Sequence, residues 1–152
     1  MNPETLLSRL SGIFDEAGSR LERLQKVASS LRESAGYRWV GLYDVDLTEG
    51  EVRNLVWDGP APPQYPTFSI TKGLTSSAIA QESTVNVGDV ASDPRYLTAL
   101  GSTRSEIIVP VLNEEGKVVG TIDVESERPN AFDKETERLL EQCAVLLRPL
   151  FA

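Results

Sequence analysis

The sequence predicts a mixed α/β domain of the α+β kind. A central antiparallel sheet carries N- and C-terminal helices on one face, and an irregular segment covers the other. Apolar residues recur at three- and four-residue steps in the first 35 positions and again after Asp133. Between Tyr37 and Ser126 the period changes to two, and a proline-rich stretch interrupts the middle.

Leu6, Leu7, Leu10, Ile13 and Phe14 form one helical stripe, and Leu21, Leu24, Ala28 and Leu31 form a second. Gly12 and Gly18 predict a break between them, and Ala35-Gly36 a stop. Tyr37–Asp46 and Glu51–Trp57 read as strands joined by the turn Leu47–Gly50. Four prolines in Asp58–Pro66 require a loop. Phe68–Ile70 reads as a short strand, Gly73–Glu82 as a short helix and Thr84–Val87 as another short strand. Gly88–Thr103 reads as irregular, with a turn of helix after Pro94. Ser105–Leu112 and Lys117–Ser126 form a hairpin about Asn113–Gly116. The closing helix starts at the N-cap Asp133 and runs towards Pro149. All 152 residues are expected to form one domain.

Composition removes several functions. The net charge of −8 provides no basic face for nucleic acid. No apolar run reaches the roughly 18 residues of a membrane span, and Met1-Asn2-Pro3-Glu4 lacks the basic start of a secretory signal. A cytoplasmic location is expected. One cysteine and no histidine exclude an internal disulfide, Cys/His metal clusters and histidine-activated nucleophiles. Much of the enzymatic repertoire is thereby removed, and no metal or cofactor is expected.

The binding candidates lie on three segments. Tyr37, Trp39, Gly41, Tyr43 and Val45 share one strand face, where Gly41 leaves space between two aromatics. A two- or four-residue turn between Leu112 and Lys117 places Glu106 opposite Asp123 and Arg104 opposite Glu125. A three-residue turn with Gly116 in a bulge shifts that pairing by one, and both stay open. Facing carboxylates repel, and burial strengthens the need for a cation. Two sources are open: Arg104 in an internal network, or a ligand amine held by Glu106, Asp123 and Glu125 against Trp39 and Tyr43. At Lys72-Gly73-Leu74-Thr75, the start of the short helix offers N–H groups to a ligand carboxylate or phosphate, against ordinary capping by Thr71 or Ser69.

The stretch Val87-Gly88-Asp89-Val90, Asp93-Pro94-Arg95-Tyr96, Arg104-Ser105-Glu106-Ile107-Ile108-Val109-Pro110-Val111, Gly120-Thr121-Ile122-Asp123-Val124 and Pro129-Asn130-Ala131-Phe132 resembles the GAF family of ligand-binding and sensor domains. Trp39–Tyr43, Gly59-Pro60, Ser105–Ile107 and Gly120–Ser126 are most similar to the free methionine-R-sulfoxide reductases within it. The resemblance implies that acids at these positions bind an amino group. It also places three cysteines near Tyr65, Thr75 and Ala99, and all three are missing. Sulfoxide reduction needs an attacking thiolate and a resolving thiol. The resemblance thus implies that no residue is catalytic, and the implied function is a catalytically inactive sensor for an amine-containing small molecule. Alternatives are a divergent reductase using Cys143 or external thiols, and a structural dimerisation domain. Leu21, Leu24, Ala28, Leu31 and Leu140, Cys143, Leu147, Leu150 fit a short heptad spacing, so a homodimer through the terminal helices is expected.

Overall fold

The computed structural model describes residues 2–97 and 101–151. Helices α1 (Pro3–Phe14) and α2 (Arg20–Ala35) are followed by strands β1 (Trp39–Asp46), β2 (Glu51–Asp58) and β3 (Thr67–Ser69). Then come α3 (Gly73–Gln81), β4 (Val85–Val87), β5 (Ser105–Leu112), β6 (Val118–Ser126) and α4 (Lys134–Leu147). The sheet is antiparallel, in the order β3-β2-β1-β6-β5-β4.

Alternation sorts the sheet residues into two cores. Val40, Leu42, Ile107, Val109, Ile122 and Val124 face α1, α2 and α4, joining Leu10, Leu24, Leu31, Leu140 and Leu147 in one buried cluster. Ile108, on the other face, packs with Leu74 and Ala78 of α3. Trp39, Tyr43, Val45, Val52 and Val118 form a third cluster there. The expected two-sided architecture is therefore present.

Boundaries differ where caps compete with periodicity. α1 runs through Gly12, and the break lies at Gly18, whose φ is +140°. Ser19 then caps α2, accepting from Glu22 N–H at 3.1 Å. Tyr37 does not start β1, because its N–H donates to Arg32 O and completes the αL cap at Gly36. A 3₁₀ turn capped by Asp89 forms at Val90–Ser92, while the turn of helix expected after Pro94 falls partly on residues 98–100, outside the described residues.

The central hairpin departs from the simple register in two steps. Asn113 N–H donates to Lys117 O, and Gly116 adopts φ +80°, giving a three-residue turn with a glycine bulge. A second irregularity, leaving Val119 unpaired, follows between Val111 and Leu112. Each shifts pairing by one residue. The turn is thus the Gly116-bulge alternative that the sequence left open, and with the second irregularity Glu106 faces Glu125 and Asp123 faces Ile108. Two single shifts restore parity, so the acids keep a common face.

The heptad stripes are occupied within the chain. Leu24, Ala28, Leu31, Leu140, Cys143, Leu147 and Leu150 are buried in the helix-side core, and only Leu21 of the two stripes is exposed. Between α1 and α4 the exposed Val145 lies beside the half-buried Leu7 and Leu146.

Candidate functional site

Pairing of β1 with β6 sets the site. Trp39 faces Glu125, Gly41 faces Asp123 and Tyr43 faces Thr121. Because cross-strand partners share a face, the Trp39–Tyr43 row lies beside the acid row. The rings of Trp39 and Tyr43 are 6.4 Å apart, and Tyr43 meets Phe68 edge-on at 5.9 Å. Gly41 is what allows this: a Cβ there would lie 2.3 Å from the Trp39 ring. Gly59 admits the opposite edge of the indole, again at 2.3 Å, and Trp39 Nε1–H donates to Ala61 O.

Glu106, Asp123 and Glu125 are all buried. One oxygen from each lies within 4.8 Å of the others. Glu125 Oε1 accepts from Thr103 Oγ1 and, at 3.4 Å, from Tyr96 O–H. Asp123 Oδ1 and Glu125 Oε2 are buried with no hydrogen-bond partner among the described residues. Arg104 is exposed, and none of the ion pairs among the described residues includes a member of the trio. The internal arginine network is therefore not formed.

Burial dominates the electrostatics of the trio. It pushes the Glu106 carboxyl well above the usual range, with the charges of Asp123 and Glu125 adding to it. Burial lifts Asp123 to about 6, and Glu125 to about 8 with help from Asp123. The Glu106 hydrogen bonds raise its own pKa and lower those of its neighbours. Burial and the two neighbouring carboxylates therefore favour the protonated form of Glu106.

Tyr43, Tyr65, Phe68, Gly73, Leu74, Thr75, Leu97, Glu106 and Asp123 enclose a small cavity of about 10 Å³. That is close to the room one water needs. Of the sequence candidates, Tyr43, Thr75, Glu106 and Asp123 line it, while Trp39 and Glu125 stand outside the lining. Tyr65, Phe68 and Leu97 join the wall from loops and a short strand, where no periodicity marks them. α3 begins with Lys72 at its N-cap and no side-chain cap, because Ser69 Oγ accepts from Thr71 N–H instead. The helix start therefore keeps N–H groups available beside Thr75.

The order of these elements and their sheet topology are those of a known family. A sequence profile of the GAF domain matches residues 19–148. The chain belongs to the GAF domain family. GAF domain-containing protein A of Dictyostelium discoideum is 32% identical over 144 residues, 95% of this chain and 89% of that protein. The free methionine-R-sulfoxide reductase of Saccharomyces cerevisiae is 31% identical over 111 residues, 72% of this chain and 60% of that protein. The structure of free methionine-R-sulfoxide reductase from Neisseria meningitidis in complex with its substrate superposes with a TM-score of 0.88 at 29% identity, covering 98% of this chain and 87% of that one.

This GAF domain is thus related to the reductases, with one cysteine in the chain. Tyr65 and Thr75, two positions where the resemblance calls for cysteine, are at the cavity wall. Ala99, the third, lies outside the described residues. Cys143 is buried on the helix-side face, and burial pushes its thiol up to about 12.

The raised carboxyls fix the sign of a pH effect. A group whose folded pKa exceeds its unfolded value stabilises the fold below the unfolded pKa, and loses that contribution as pH rises through the folded one. For Glu125 the window runs from the ordinary carboxyl range, 4.5, to about 8. Urea midpoints of the ligand-free domain are expected to fall between pH 5 and pH 8.5, and Glu106→Gln to flatten that slope. A midpoint that rises over this range contradicts the assignment.

Proposed function

We propose that the chain is one GAF unit that binds a small amine-containing molecule, an amino acid or a derivative, as a sensor without catalysis. The observation that carries this reading is the buried acid trio with no cation of the chain beside it among the described residues. Buried charge is normally paired or coordinated, and an ammonium group supplies both charge and hydrogen-bond donors. Tyr43 adds an aromatic face suited to a cation. The uncapped start of α3 borders the same cavity, so a ligand carboxylate would meet N–H groups there. A cavity of about 10 Å³ is smaller than any amino acid, so binding displaces part of its wall. The absence of cysteine at Tyr65 and Thr75, and the buried, protonated Cys143, support a role without sulfoxide reduction.

The reading is tested by calorimetric titration with amino acids, their sulfoxides and polyamines. An amine-containing compound is expected to bind, and Glu106→Gln and Asp123→Asn to weaken it by roughly 10- to 100-fold, equivalent to about 1.5–3 kcal/mol per charge-assisted bond. The same variants should leave the ligand-free fold as stable as before or slightly more so. No free methionine-R-sulfoxide turnover with a thioredoxin system is expected. Loss of about 3–5 kcal/mol in both variants, with no amine binding, would make the acids purely structural.

Because the heptad stripes are buried, a homodimer through the terminal helices would pair the exposed Val145 and the half-buried Leu7 and Leu146 beside it. Sedimentation equilibrium at micromolar protein is expected to show a dimer that Val145→Glu weakens. A 16.7 kDa species alone contradicts it.

A further inference from the structure

We propose that Glu106, Asp123 and Glu125 also form a site for a divalent cation of the oxygen-preferring class, Mg²⁺ or Mn²⁺, which competes with the ligand ammonium. This goes beyond the amine reading and does not depend on it. Three features carry it. One carboxylate oxygen from each residue lies within 4.8 Å of the others, so small side-chain movements would bring all three onto one ion. Asp123 Oδ1 and Glu125 Oε2 are buried and have no hydrogen-bond partner among the described residues, and Thr121 Oγ1, on the same face of β6, has none either. Glu106 and Glu125 are direct partners across β5 and β6, with Asp123 two residues along. The acids are therefore held by a continuous backbone ladder and need little ordering to bind.

The donor set selects the ion. Among the described residues the cluster is made of carboxylates alone, with no nitrogen or sulfur ligand, which suits hard cations and disfavours the softer metals held by histidine and cysteine. Size selects further. The cavity of about 10 Å³ has no room for an amino acid, and an ion shared by all three acids would lie on the side of it that Glu106 and Asp123 line. The cation therefore fits the closed arrangement, whereas the amine needs an opened one. Occupancy by metal would stabilise the closed wall, and the ligand would have to displace the ion to enter.

Mn²⁺ binding to the full chain, read from loss of the free-ion paramagnetic resonance signal, tests this with no amine present. One Mn²⁺ per chain is expected, displaced by excess Mg²⁺, with affinity falling at least about tenfold in Glu106→Gln and in Asp123→Asn. The two variants are checked for folding by circular dichroism, and each is sufficient if the other fails to fold. A free-ion signal unchanged by protein up to about 1 mM Mn²⁺, the weak end of such sites, overturns the proposal. So does binding that persists unchanged in a folded variant, because the ion then sits on surface acids. Amine titrations run in chelator are unaffected by either result, so failure of the metal site and failure of the amine reading remain distinguishable.

Discussion

Three carboxylates are buried side by side on one sheet face, with no cation of the chain beside them among the described residues. Desolvation of each acid costs free energy that only a proton, a metal or an ammonium group can offset. Burial raises the carboxyls and favours their protonated forms, and the Thr103 and Tyr96 hydroxyls donate to Glu125. The surrounding chain is arranged around this constraint. Gly41 and Gly59 let the Trp39 indole lie flat beside the acids, and α3 brings an uncapped N-terminus, with its partial positive charge, to the same cavity.

The relation to methionine sulfoxide reductases separates fold from chemistry. Trp39, Tyr43 and the acid trio lie on one sheet face, while Tyr65 and Thr75 occupy two positions where the resemblance to the reductases implies cysteine. A phenol and a hydroxyl can hydrogen-bond a ligand, but neither can form the disulfide that closes a reductive cycle. Cys143 lies on the far side of the sheet, among apolar side chains, and burial pushes its thiol up to about 12.

The helices, strands and two-sided burial were legible in the sequence because each rests on a local period. Register was not. The Gly116 bulge follows from a glycine that favours positive φ, but the Val119 irregularity leaves no residue signature, and together they move Glu106 from Asp123 to Glu125. The common face of the acids survived because two single shifts cancel in parity. Tyr65, Phe68 and Leu97 could not be found from pattern, since loops and a three-residue strand carry no periodicity. The heptad spacing of Leu24 to Leu31 and Leu140 to Leu150 was real but ambiguous, because the same spacing covers a sheet or a partner helix. Burial assigns it to the sheet.

The most direct measurement of the central claim is a ¹³C resonance titration of the side-chain carboxyls of Glu106, Asp123 and Glu125 in the ligand-free, metal-free domain. The cluster is expected to titrate in coupled steps above the ordinary carboxyl range, with Asp123 near 6, Glu125 near 8 and Glu106 well above its usual range. Titration of all three below about 4.5 would contradict it, because the acids would then be solvated or internally neutralised and would have no need of an external cation.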